Sequence, residues 1–355
     1  LNLHAWLRLT LAPGLTRKQR IALLDAFKTP ERVFDASPRA LAAAVGPEIA
    51  AAVRQEPPVP WIDRALDWLA SPHHHFVPFG DSAYPLLYLE MADPPVALYV
   101  RGRRELLNVP AVGIVGSRNA TMQGVRDAEA FAEALSGRGL TIVSGMALGI
   151  DTAAHRGGLR ARGSSVAVLG TGADRVYPRR NAALAEQLAE TGAIVSEFPL
   201  GTPPVRDNFP RRNRLISGLA RGVLIVEAAV ESGSLITARF ALEQNRDVYA
   251  IPGSIHSPLS RGCHKLIKQG AKLVECAEDI LDELNLQHAP ATNKTLEEES
   301  DPLLDAMGRG PASIDQIAAR LGRTAAAVAA RISALEIEGR VASMSSGLFQ
   351  RLERR

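Results

Sequence analysis

The stretch 208–217 reads NFPRRNRLIS and places Arg211, Arg212 and Arg214 within four positions, with Asn213 among them. A guanidinium matches phosphate bidentately, so arginine at this density suits a phosphate-rich partner. The same composition also suits a solvated basic helix face. Strand-like apolar runs flank it, Ala193 to Val195 before and Val223 to Val226 after. In an open parallel sheet such a segment lies beside the carboxyl ends of strands, where ligands bind.

Other chemistry-bearing groups recur at comparable places. Gly116-Ser117-Arg118 closes the run Gly113 to Val115. A glycine there lets a ligand approach the backbone, and the next helix N-terminus favours anions. The chain has neither a GxxxxGK[ST] loop nor a GxGxxG fingerprint at this turn, which speaks against nucleotide hydrolysis by that machinery. Ser144-Gly145-Met146-Ala147-Leu148-Gly149-Ile150-Asp151 follows a second apolar run, with His155 four residues beyond Asp151 on one helix face. No nucleophile or metal cluster accompanies that pair, so capping and packing is the expected role. Gly170-Thr171-Gly172 and Tyr177-Pro178-Arg179-Arg180-Asn181 follow a third run, and Ser232-Gly233-Ser234 with Thr237 and Arg239 a fifth. Pro252-Gly253-Ser254 follows a sixth. One rim of a sheet thus collects glycine, hydroxyl and arginine groups. Phe209 is either a base-stacking platform or a core residue.

The elements that position these groups alternate. Strands are expected at 111–115, 141–144, 165–169, 193–197, 223–227, 247–251 and 272–275, with helices at 122–136, 149–162, 181–191, 212–220 and 235–245. This predicts an α/β fold, a Rossmann-like doubly wound, mostly parallel sheet spanning 111–286. Residues 1–55 predict a small helical domain, of sterile-alpha-motif or helix-hairpin-helix type, broken at Pro13-Gly14, Thr29-Pro30 and Gly46-Pro47. Residues 56–110 read as a linker and lead-in to the core, with a short strand near Val96 to Val100 and a solvated loop at His73, His74 and His75. A polar linker is expected at 287–301. Residues 302–355, with helices at 302–307, 313–320 and 324–338 and a strand pair around Ser345-Ser346-Gly347, predict a winged helix.

Composition narrows the functional class. Of 355 residues, 46% are hydrophobic and 22% charged, and the net charge is only +3, so a nucleic-acid footprint must be local. The two cysteines give neither a zinc spacing nor a disulfide framework, and a reducing cytoplasm is expected. The opening LNLHAWLRLT carries no cleavage-site pattern, and no apolar run approaches the length of a membrane span. Neither a metal nor a cofactor is expected.

Six segments carry a family resemblance: IVGSRNATMQG (114–124), SGMALGIDTAAH (144–155), LGTGADRVYPRRN (169–181), SEFPLGTPP (196–204), the long run from FPRRNRLISG to YAIPGS (209–254), and GCHKLIKQGAKLV (262–274). Together they resemble the DNA-processing protein A family, also called DprA or Smf, over about 85–287. The resemblance implies a Rossmann-like single-stranded-DNA-binding protein of natural transformation. It further implies a homodimer that protects incoming strands and loads the RecA recombinase onto them, with no catalytic residues. Carried over by motif, Gly116, Ser117 and Arg118 match the GSR turn that lines the family's DNA pocket, and Arg211, Arg212, Asn213 and Arg214 match the basic segment beside it. His264 departs from the asparagine common in the family's GxNxLI motif, and the residues after GSR vary. The rival class is a nucleotide-binding enzyme of the related phosphoribohydrolase type. Those proteins carry a glutamate soon after the threonine of their glycine–threonine loop, whereas Thr237 is followed by Ala238, Arg239 and Phe240. A third class is a transcription regulator acting through 302–355. Arg323 and Arg331 are the main basic residues near its recognition helix, with Glu336 and Glu338 at the end, so a protein contact or weak duplex binding is expected of that unit.

Overall fold

Short apolar runs alternating with amphipathic segments leave the backbone few options: each run must pair its N–H and C=O groups with neighbours and cover both faces. The computed structural model describes residues 2–286, 301–307, 312–338, 340–343 and 348–351. The expected turn at Ser345-Ser346-Gly347 and the linker at 287–301, residue 301 apart, lie outside these. The chain divides into two units, Leu1–Ala289 and Pro290–Arg355.

The first unit opens with helices α1 (Leu3–Leu11), α2 (Arg17–Phe27), α3 (Pro30–Asp35), α4 (Pro38–Val45), α5 (Pro47–Val53) and α6 (Val59–Leu69). Their boundaries follow local chemistry. Thr16 and Gln19 form a reciprocal capping box on α2, Ser37 caps α4 ahead of Pro38, and Gly46 closes α4 at positive φ. Strands β1 (His74–Pro78) and β2 (Ala97–Gly102) follow as an antiparallel pair. The lead-in is therefore part of the sheet. His74 and His75, expected in a solvated loop, are half-buried on β1, and the Trp68 ring stacks on His74 at 3.9 Å. Helices α1–α6 share one apolar core with β1 and β2, in which Leu7, Leu9, Leu23, Val33, Leu41 and Ile62 meet Phe76, Val96 and Tyr99.

The alternating region gives β3 (Ala111–Val115), α7 (Met122–Gly137), β4 (Thr141–Ser144), α8 (Ile150–Leu159), β5 (Ser165–Val168), α9 (Ala182–Thr191), β6 (Ala193–Ser196), α10 (Asn208–Leu219), β7 (Gly222–Ile225), α11 (Ser234–Glu243), β8 (Asp247–Ala250), α12 (Arg261–Lys268), β9 (Lys272–Leu273) and α13 (Ala277–Glu283). The nine strands form one sheet in the order β1-β2-β6-β5-β4-β3-β7-β8-β9. It is parallel from β6 to β9, with β2 antiparallel to β6. Period-two alternation divides each central strand between two cores. Val112 and Ile114 of β3 pack with Phe131, Leu135 and Ile150 of α7 and α8, while Ala111 and Val115 pack on the opposite face with Leu215, Ile216 and Leu219 of α10. The fold is thus α/β with a mostly parallel sheet, as the pattern predicts. The chain runs outward from β3 through β4, β5 and β6, then returns to place β7 on the other side of β3. That reversal opens a crevice beyond the carboxyl ends of β3 and β7.

The second unit comprises α14 (Pro302–Met307), β10 (Ala312–Ser313), α15 (Ile314–Leu321), α16 (Ala325–Ile337), β11 (Val341–Ser343) and β12 (Leu348–Arg351), its strands ordered β10-β12-β11. Leu303, Leu304, Met307, Ile317, Val328, Ile332 and Leu335 form its core. Ser313 and Gln316 make the expected capping box. Among the described residues, no helix is long and apolar enough to cross a membrane.

Candidate nucleic-acid interface

A cavity of about 750 Å³ lies in the crevice at the sheet reversal. Gly116, Ser117 and Arg118, which follow β3, form one part of its lining. Ala147 and Asp151 after β4, Glu231 to Ser234 and Thr237 at the start of α11, and Arg212 and Asn213 of α10 form much of the rest. Tyr177, Pro204, Arg206 and Phe209 also line it.

Gly116 has a steric reason. A Cβ there would come within 2.7 Å of the Ile150 side chain and 2.9 Å of the Glu227 carbonyl oxygen. Close packing of α8 against the turn thus requires this glycine, whatever approaches from solvent. Ser117 Oγ accepts from the Asn119 N–H at 3.2 Å and shapes the turn. Arg118 then projects into solvent, with its guanidinium carbon 5.9 Å from the centre of the Phe209 ring.

Helix α10 begins at Asn208 rather than at the expected residue 212, because proline is tolerated in a first turn and Pro210 sits there. The early start decides where each arginine points. Arg211 is exposed, 5.9 Å from the Phe198 ring, and lies outside the cavity lining. Arg212 is buried; its Nη1 donates to the Gly145 carbonyl at 2.7 Å and also to the Val168 carbonyl. It ties together the ends of β4 and β5, and burial pushes its guanidinium down to about 10. Arg214 is buried outside the cavity lining, where Nη2 donates to Glu197. Asn213 Nδ2 donates to the Gly233 carbonyl at 3.4 Å and joins α10 to the loop before α11. The structure therefore gathers Gly116, Ser117, Arg118, Arg212 and Asn213 at the cavity, while Arg211 and Arg214 stand apart from it.

Glu197 sits between two arginines. It accepts from Arg17 Nη1 of α2 at 2.8 Å and from Arg214, and Arg17 Nη2 also donates to Asp93 at 2.6 Å. Burial raises the Glu197 carboxyl to about 7, against the opposing pull of Arg17. This cluster anchors α10 to the helical segment.

The Asp151–His155 pair is not an acid–base couple. Asp151 Oδ2 accepts from the N–H groups of Gly145 and Ala147 at 3.2 and 3.3 Å. Burial raises its carboxyl, and Arg212 pulls the other way. His155 is fully buried, its Nε2 accepting from the Met146 N–H at 3.2 Å and its Nδ1 facing Ser165 Oγ at 2.8 Å. Both brace the 145–149 turn. Asn181 does the same, donating to the Met146 carbonyl at 2.8 Å and to Thr152 Oγ1 at 3.0 Å.

Arg206 is a cavity residue that motif reading passed over. It stands alone in a proline-rich loop, and only the fold brings it beside Phe209. Arg118 and Arg206 take part in no ion pair among the described residues, nor do the exposed Arg175, Arg179 and Arg180 of the 171–181 loop. Of these, Arg118 and Arg206 line the concave surface, which also carries hydroxyls, an amide and aromatic rings. Among the described residues, no group of three or more His, Cys, Asp or Glu is placed to hold a metal ion.

The family model for DNA recombination-mediator protein A matches residues 75–285, and that for the DprA winged helix domain matches 287–347. The Smf protein of Escherichia coli is 45% identical over 305 residues, which is 82% of this chain and 81% of that protein. The DNA processing protein DprA of Streptococcus pneumoniae is 47% identical over 203 residues, 57% of this chain and 72% of its own length. The crystal structure of the pneumococcal protein superposes with a TM-score of 0.68 at 38% identity, covering 78% of this chain and 95% of that one. A structure of DNA processing protein A from Helicobacter pylori, concerned with its single-stranded-DNA binding mode, superposes with a TM-score of 0.55 at 28% identity, covering 60% and 97%. With both matched regions in place and the sheet order that builds the crevice, the chain belongs to the DNA recombination-mediator protein A family, the DprA/Smf DNA-processing proteins.

Proposed function

We propose that this chain binds single-stranded DNA across the crevice at the sheet reversal and acts there as a binding protein rather than an enzyme. The observation that carries the reading is the free Arg118 and Arg206 at a cavity that also holds Phe209. Unpaired guanidiniums position phosphates, and aromatic rings take bases without regard to sequence. Arg212 and Asn213 hold the walls, while Ser117, Ser232 and Ser234 offer hydroxyls to the backbone of the strand. The Helicobacter pylori relative supports the choice of a single strand.

The test is fluorescence anisotropy with a labelled oligo-dT and a duplex of equal length across a salt series. Tight, salt-sensitive preference for the single strand is the expected result, because counterion release supplies much of such affinity. Equal or stronger binding to duplex would overturn it. We further propose, from the family, that the chain acts as a homodimer in natural transformation, protecting incoming strands and loading the RecA recombinase onto them. Adding the protein to RecA and coated single strands should speed filament assembly, and light scattering should give twice the chain mass. The absence of either effect removes that part of the proposal and leaves strand binding standing.

A further inference from the structure

Tyr177 is the exposed aromatic ring in the cavity lining. It keeps 46% of its surface in solvent, whereas Phe209 beside it is half-buried. The two ring centres are 5.5 Å apart with planes inclined at 41°. Phe209 is backed by the main chain at Gly170, where a Cβ would come within 2.8 Å of its Cδ1. The guanidinium of Arg118 lies 5.9 Å from the same ring. Arg118, Phe209 and Tyr177 thus bring three flat groups together, with half-buried Phe209 touching both the exposed Arg118 and the exposed Tyr177.

A single exposed tyrosine needs no explanation by itself. Three features set this one apart. Its loop is held at both ends: Thr171 Oγ1 donates to the Arg175 carbonyl at 2.8 Å, Ser196 Oγ donates to the Thr171 carbonyl at 2.6 Å, and the buried Asn181 is bonded to Met146 and Thr152. Its ring continues a surface that already lines the cavity. Exposed Arg175, Arg179 and Arg180 flank it in sequence. A pre-ordered ring among free cations is the arrangement that a nucleobase and its phosphates need together, and stacking on it costs little side-chain entropy.

We propose that Tyr177 is a base-stacking residue, the outer step of a two-ring platform with Phe209, on which neighbouring bases of one strand rest as it leaves the crevice. The assignment rests on the reading of the crevice as a single-strand site. It uses the face of the ring, not the hydroxyl, so it is tolerant of base identity.

The test uses the full chain and oligo-dT carrying one 2-aminopurine, with Tyr177→Ala, Tyr177→Phe and Tyr177→Trp compared with wild type. Tyr177→Ala should lose roughly 5- to 150-fold in affinity, the range for one stacked base. Its dependence of affinity on salt should stay unchanged, because no phosphate contact is removed. Tyr177→Phe and Tyr177→Trp should bind within about twofold of wild type, since every base stacks on any aromatic face. The 2-aminopurine quenching seen with wild type should fall for Tyr177→Ala alone. Unchanged affinity in Tyr177→Ala, a shallower salt slope, or a loss in Tyr177→Phe equal to that in Tyr177→Ala would each overturn the assignment. If wild type itself fails to bind the oligonucleotide, the crevice reading fails instead. An unchanged far-UV spectrum keeps a folding defect from passing as a binding one.

Discussion

An arginine two positions after the turn glycine Gly116 and an arginine in the second turn of α10 look alike in sequence and do different work. Arg118 is exposed at the cavity; Arg212 is buried and spent on the Gly145 and Val168 carbonyls. Arg118→Ala should weaken single-strand binding across all sequences and lower the salt slope by about 0.7, the value of one phosphate contact on a single strand. Its urea midpoint should not move. Arg212→Ala should instead cost about 1.5–3 kcal/mol of stability, the range for hydrogen bonds to a charged group. A stable Arg212→Ala that loses affinity in the manner of Arg118→Ala would show that Arg212 contacts the strand directly. His155 makes a separate prediction about pH. Burial lowers its imidazole from 6.5 to about 3. Below pH 6.5 the unfolded chain binds a proton there and the folded chain does not, so this contribution is complete above 6.5 and is lost as pH falls toward 3. The slope is about 1.4 kcal/mol per pH unit in that window. Urea unfolding at about pH 7.5 and pH 5.5 should show this loss in wild type. His155→Gln should show a smaller loss between the same two conditions; equal losses would exclude His155 as the source.

Helix α10 carries Phe209, Arg212 and Asn213 to the cavity, and its seat depends on charges that the sequence does not connect. Glu197 bonds Arg214 of this helix and Arg17 of α2, which lie 17 and 180 residues from it in sequence. Removing one partner of a buried ion pair leaves the other charges uncompensated, which costs about 3–5 kcal/mol. Glu197→Ala should therefore lower the urea midpoint by that equivalent, while Glu186→Ala, whose carboxylate is exposed opposite Arg101, should change it by under about 1 kcal/mol. Equal effects would remove the anchor role. The same helix marks how far sequence reading reaches. Strands β3 to β8 are legible because unbroken apolar runs bounded by glycine turns leave little else to form. The crevice is legible because glycine, hydroxyl and arginine groups follow those runs. The orientation of Arg211, Arg212 and Arg214 is not legible, because a start at Asn208 instead of residue 212 turns the first residues of α10 into its first turn and decides which guanidinium faces the sheet. Strand β1 was hidden for another reason: its opening histidines read as polar, yet Trp68 covers one and β2 pairs with both. Arg206 had no motif to mark it.

At the scale of the whole chain, a net charge of +3 cannot hold a polyanion unless the cations are concentrated. In the first unit Arg118 and Arg206 are at one cavity, and Arg175, Arg179 and Arg180 belong to the loop that brings Tyr177 to it. Among the described residues of the second unit, most arginines are engaged at home. Arg320 donates to the Ala306 and Met307 carbonyls, Arg331 bonds Asp301 and Glu338, and Arg351 bonds Leu304 and Asp305. Helix α16 begins just after Arg323 and has Glu336 and Glu338 at its end, so the face that would enter a major groove has little to offer phosphates. The two units also have separate apolar cores, which makes them separable by truncation. A chain ending at Ala289 should remain folded and keep single-strand affinity within about threefold of the full chain, with the salt slope unchanged, because no phosphate contact leaves with the second unit. Anisotropy with oligo-dT, run beside a far-UV melt of the truncated chain, checks this. A folded truncation with a shallower salt slope would place arginines of the winged helix on the strand, and the count of lost phosphate contacts could be read from the change in slope.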